Sequence, residues 1–114
     1  MKKLIPITAA LLALTACGSS SFDSSEAVAK AAKCENFTPD TEGELFAADS
    51  GSCTIDGTEV YIHWFKNDET LKNYRTIADQ MSGSRILYGS NFAIECDTKD
   101  ACETLKKAVG GEIG

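Results

Sequence analysis

The dipeptide Asp56–Gly57 constrains this chain more than any other feature. It sits between two β-rich runs in LFAADSGSCTIDGTEVYIHWF. An Asp-Gly pair in that setting is the strongest short-range signal for a two-residue hairpin. Such a turn sets the register, so that Ile55 faces Thr58 and Cys53 faces Val60. Side chains alternate across a strand. Cys53, Ile55, Val60, Ile62 and Trp64 therefore share one face, and Glu59, Tyr61, His63 and Phe65 share the other. The first face reads as core. The second is half polar and half aromatic, as on a sheet with only one face packed.

Helical patterns flank this hairpin. Ser24 or Ser25 caps a first helix, SEAVAKAAKC, with Glu26 favourable in its first turn. Its apolar stripe is Ala27, Val28, Ala31 and Ala32. Residues 35–44, ENFTPDTEGE, read as a loop with Pro39 and Gly43 as breakers. Asn67 caps a second helix that carries Leu71, Tyr74, Ile77, Ala78 and Met81 on one face and ends at Ser82–Gly83. RILYGSNFAIEC reads as a second hairpin around Gly89–Ser90, with Phe92, Ile94 and Cys96 on one side. Asp97 or Thr98 caps a last helix with Ala101, Cys102, Leu105, Ala108 and Val109 inward, ended by Gly110–Gly111. A helix followed by two ββα units predicts an α+β fold. Its four-stranded antiparallel sheet would carry the helices on one face.

The N-terminus reads as an address. Lys2 and Lys3 precede an apolar run from Leu4 to Thr15. That run falls short of the roughly 20 residues a spanning helix needs and has the layout of a secretory signal. Leu14-Thr15-Ala16-Cys17 resembles the bacterial lipobox. The resemblance implies that the Cys17 thiol receives diacylglycerol and that the peptide before it is removed. Residues 1–16 are then a lipoprotein signal peptide, 17–25 the lipidated Cys17 and a flexible linker, and 26–114 a single α+β domain. Two acyl chains anchor durably where one is marginal. The expected location is the extracytoplasmic face of the cell membrane. Residues 18–25 reach at most about 27 Å, a short leash.

Charge and cysteines narrow the rest. The formal charge is −6, and loss of Lys2 and Lys3 takes it to −8. An acidic domain is repelled by nucleic-acid phosphates and anionic headgroups, so nucleic acid is excluded as a partner and the lipid must do the anchoring. Besides Cys17 the chain holds Cys34, Cys53, Cys96 and Cys102. Four cysteines allow three pairings, and an exported small domain makes disulfides the default. The preferred pairing is Cys34–Cys53 with Cys96–Cys102. The loops they close are worth roughly 3 and roughly 2 kcal/mol in the chain-entropy model. A metal site is not expected, because no Cys-x-x-Cys occurs and His63 is the only histidine.

No catalytic constellation stands out. Ser50-Gly51-Ser52 lacks the Gly-x-Ser-x-Gly elbow. The acids before the second and last helices suit helix N-termini. No enzyme activity and no cofactor are expected. The candidate partner surface is Tyr61, His63 and Phe65: left uncovered, these residues form an aromatic patch rimmed by charge. The competing expectation is that residues 35–48 cover it, with Phe37, Leu45 and Phe46 as a lid.

The passages DSGSCTIDGTEVYIHWF, LYGSNFAIEC and LKKAVGGEI resemble a group of small lipoproteins from actinobacteria and their phages. The shared motifs are structural, and the resemblance carries no catalytic residues across. A tryptophan often follows the turn asparagine in that group, where this chain has Phe92. The expected function is a monomeric, non-catalytic binding or accessory lipoprotein that meets another envelope or phage protein. One version is a prophage-type superinfection-exclusion lipoprotein. A deep pocket with a perturbed acid or base would instead point to an inhibitor or minor enzyme of cell-wall metabolism.

Overall fold

A computed structural model of the chain describes residues 21–40, 46–80 and 85–114. Cys17, the apolar leader, Leu45, Met81 and Ser82–Gly83 lie outside the described residues. In chain order the elements are α1 (Ser25–Ala31), β1 (Glu35–Pro39), β2 (Asp49–Ile55), β3 (Thr58–Trp64), α2 (Asp68–Ala78), β4 (Ile86–Tyr88), β5 (Phe92–Glu95), α3 (Lys99–Val109) and β6 (Glu112–Ile113). The fold is α+β, and the strands form one antiparallel sheet in the order β1-β2-β3-β5-β4-β6.

The β2–β3 hairpin has the register that a two-residue turn requires, Cys53 opposite Val60 and Ile55 opposite Thr58. Asp56 and Gly57 have φ of 49° and 81°, two consecutive left-handed residues, as a type I′ turn needs. All three helices among the described residues have side-chain caps. Ser24 Oγ accepts from Ala27 N at 3.1 Å, Asn67 Oδ1 from Thr70 N at 2.9 Å, and Thr98 Oγ1 from Ala101 N at 3.1 Å.

Among the described residues the sheet has six strands, where four were expected. Residues 35–39, read above as loop, form β1 along the free edge of β2. Asn36, at φ 58°, sits where the register shifts between Glu35 and Thr38, which is a bulge. Proline is tolerated on such an edge, and Pro39 ends the strand. The disulfide Cys34–Cys53 (Cα–Cα 5.7 Å) pins the residue before β1 to the middle of β2. At the other edge Gly110–Gly111 does more than stop α3. With φ of 78° and 107° the pair turns the chain back so that β6 pairs with β4. A Cβ on Gly111 would meet Tyr88 O at 2.6 Å.

The helices lie on both faces, not one, and strand order gives the reason. The β3–α2–β4 connection passes over β5, and the β5–α3–β6 connection passes over β4. Both move the same way across the sheet, but β3 and β5 are antiparallel. Crossovers of one hand therefore place α2 and α3 on opposite faces. The packing agrees. Val28, Ala29 and Ala32 of the first helical segment and Cys102, Leu105 and Val109 of α3 bury Cys53, Val60, Ile62, Leu87, Phe92 and Ile94. On the other face Leu71, Tyr74 and Ala78 of α2 cover Phe65, Ile86, Tyr88 and Ala93. A second disulfide, Cys96–Cys102 (Cα–Cα 5.1 Å), joins the end of β5 to α3.

The helical stripes shift slightly from expectation. Ala29 is buried in α1, while Ala31 is exposed, and Ala108 of α3 and Ile77 of α2 face water. Arg75 lies over the Tyr88 ring at 4.3 Å and approaches Glu112 at 3.3 Å, tying α2 to the β4–β6 edge.

Candidate functional site

Tyr61 and His63 of β3 and Phe65 just beyond its end point to one face, as alternation requires, but they do not form one open patch. Phe65 is 0% and His63 2% exposed, whereas Tyr61 is 46% exposed. Helix α2 lies over the upper part of this face. The Tyr74 ring sits 5.1 Å from His63 and 5.3 Å from Phe65. The expected lid is supplied mainly by this helix. Phe46 joins it at the margin, while Phe37 packs into the opposite core. The partner surface inferred from sequence is corrected accordingly: of the three residues, only Tyr61 faces solvent.

Beneath α2 lies a small polar network. His63 Nε2 and Glu95 Oε2 are 2.6 Å apart. Tyr61 is opposite Glu95 and Ala93 opposite His63, so His63 and Glu95 are diagonal neighbours within reach across the strand pair. An ionised carboxylate only accepts, so Nε2–H donates. The His63 hydrogen bond holds the Glu95 carboxyl below its ordinary value of 4.5. A Tyr74 hydrogen bond acts the same way, and burial pulls against both. A lowered carboxyl pKa stabilises the fold above the unfolded value, and this contribution fades as pH falls through the folded one. Thermal unfolding of the wild type should therefore lose stability below about pH 4.5, and Glu95→Gln should flatten that part of the profile. The difference is modest, because the Glu95 side chain is 42% exposed and water screens the pair. Parallel profiles for the two proteins would contradict the assignment.

Glu95 also reaches the open part of the sheet. There Thr58, Glu59, Tyr61, Arg85, Glu95 and Asp97 line a depression of about 490 Å³. Three carboxylates and one guanidinium surround an exposed phenol ring. Such a surface suits a ligand that brings hydrogen-bond donors or positive charge and a flat face to stack on Tyr61. A second depression, of about 740 Å³, lies between α1, α3 and the hairpin tip, with Lys33, Ile55 and Lys107 in its wall. Both depressions adjoin the Asp56–Gly57 turn.

The opposite end of β3 holds a different constellation. Phe22 O accepts from Trp64 Nε1 at 2.7 Å and from Asn91 Nδ2 at 2.8 Å. Phe22 N donates to Asn91 Oδ1 at 3.2 Å. The Phe22 ring meets Phe92 edge-on at 5.5 Å, and Ser21 Oγ lies 3.2 Å from Ser90 Oγ. Ser25 N donates to Asp49 Oδ2 at 2.8 Å. The stretch read as free linker is thus tied down from Ser21 onward.

Sequence reading missed Glu95, Tyr74, Arg85, Asp97 and Asn91 as members of these sites. Glu95 alone left a signal: it is the one acid within the strand run FAIE and has the parity opposite Phe92 and Ile94. Among the described residues no group of three or more His, Cys, Asp or Glu side chains is placed to hold a metal ion, and no helix is long and apolar enough to cross a membrane. Comparison with protein-family models, with curated proteins and with solved structures finds no match to this chain.

Proposed function

We propose that the chain is an extracytoplasmic lipoprotein, anchored through a diacylated Cys17, whose domain is a non-catalytic binding or accessory module of the cell envelope. The observation that carries this reading is the pair of disulfides, Cys34–Cys53 and Cys96–Cys102, in one small domain. Such bonds persist in oxidising compartments outside the cytoplasm. The basic, apolar leader ending in Leu14-Thr15-Ala16-Cys17 encodes export by a separate signal. Anchor and staples thus point to one compartment from unrelated residues.

The binding role is supported by the surface at the hairpin tip. A shallow, charged depression with an exposed tyrosine suits recognition of a protein partner, where aromatic and arginine side chains contribute most. Cys17→Ser in the full chain tests the anchor. The wild type should fractionate with membranes, and the variant should leave that fraction almost completely. Retention of the variant on the membrane would overturn the reading.

A further inference from the structure

We infer that the domain stands on the membrane in one orientation. The pole formed by Phe22, Trp64 and Asn91 lies against the headgroups of the bilayer that holds Cys17, and the Asp56–Gly57 pole with its depressions points away. This rests on the anchoring proposed above and adds to it which end of the domain a partner can meet.

Covalent reach decides the matter. A linker free through Ser25 would extend about 27 Å, longer than β3, whose six steps from Thr58 to Trp64 span about 20 Å. On such a leash the domain could turn over and bring either pole to the lipid. The clamp on Phe22 removes that freedom. From Cys17 to Ser21 only four Cα steps remain, at most about 15 Å, which is less than the length of the strand. The domain then cannot invert onto its hairpin tip, because the clamped end can stand no more than about 15 Å above the surface to which Cys17 is fixed.

The clamp is suited to the task. Asn91 both donates to and accepts from the Phe22 backbone, a two-point grip. Its own carbonyl accepts from Phe65 N at 2.9 Å, which ties the gripping turn to the end of β3. Three hydrogen bonds at about 1 kcal/mol each, with an edge-on aromatic contact, hold the segment against fraying. Trp64, the only tryptophan in the chain, supplies one of those bonds and sits at the membrane-proximal pole.

That position makes Trp64 its own reporter. The full lipidated chain is reconstituted into vesicles that carry a nitroxide on the lipid headgroup. Quenching is read from Trp64 and, in a second preparation, from a small fluorophore introduced at Thr58. Trp64 should lose most of its emission and the Thr58 probe little. A flexible Gly-Ser segment inserted between Ser20 and Ser21 leaves the clamp intact and should restore Trp64 emission. Asn91→Ala releases Phe22 and should narrow the contrast between the two positions. Equal quenching at both positions, or stronger quenching at Thr58, in protein that sediments with the vesicles overturns the orientation alone. Native protein that carries no lipid overturns the anchor as well.

Discussion

Truncation of Phe65 to alanine should cost about 3–5 kcal/mol of folding stability, the range for a large aromatic lost from a packed core. Phe65 is 0% exposed between the sheet and α2, against Tyr74. Among the described residues it is one of four buried in the smaller core, with Ile86, Tyr88 and Ala93, and α2 has no fully buried residue of its own to compensate. The void would therefore open directly under the helix. Tyr61→Ala, four positions away on the same strand face, should cost no more than about 1 kcal/mol, because that side chain is 46% exposed. Urea titration of the two variants separates the cases. A Phe65→Ala protein as stable as Tyr61→Ala would show that α2 does not cover this face and that the aromatic patch is open after all. The Tyr61→Ala protein, still folded, is the variant with which to ask whether the hairpin-tip depression binds a partner.

Opening the Cys34–Cys53 bond should be nearly as severe. The bond joins residues 19 apart, and the chain-entropy model assigns such a loop about 3 kcal/mol. For a domain of this size that is roughly 10–20 °C in Tm. Cys53 is also 2% exposed within the main core, so the Cys34→Ala/Cys53→Ala variant loses packed volume as well. The local effect should be distinctive. β1 is an edge strand with a bulge at Asn36 and a proline at its end, and the disulfide sits one residue before it. Amide exchange over Glu35–Pro39 should rise far more than exchange in β3 or β5. The Cys96–Cys102 bond, across residues only 6 apart, should be worth about 2 kcal/mol. Melting with and without reductant measures the sum. A shift of less than about 4 °C on full reduction would mean that the staples are not holding the fold together.

The parts of this fold that are legible in sequence are those set by local rules. Asp56–Gly57 dictates a turn, the turn dictates a register, and the register places Val60 and Ile62 in the core beside Cys53. Asn67, and one of Asp97 and Thr98, read as caps because a side-chain acceptor before a helical stripe has one obvious use. The elements that escaped are those that exist only through tertiary contact. β1 has weak strand propensity and forms because Cys34 is bonded to Cys53 beside an unpaired edge. β6 is two residues long and forms because Gly110–Gly111 returns the chain to β4. The placement of α2 opposite α3 depends on β5 lying between β3 and β4, which no local pattern encodes. That single fact of strand order moves His63 and Phe65 from an open surface to a covered one. The polar network was hidden for the same reason. His63 and Glu95 are 32 positions apart and become diagonal neighbours only once the β3–β5 pairing is known. The clamp on Phe22 was hidden because serine-rich sequence reads as linker wherever it occurs, while Asn91 looks like any turn asparagine until its amide is seen gripping a backbone.

Anchoring, compartment and orientation all depend on what is attached to Cys17. Intact-mass and N-terminal peptide analysis of protein extracted from membranes is the most direct measurement. The expected mature chain begins at Cys17 and carries diacylglycerol on its thiol, with the other four cysteines oxidised. A chain that retains Met1–Ala16, or one whose Cys17 carries no lipid, would contradict it.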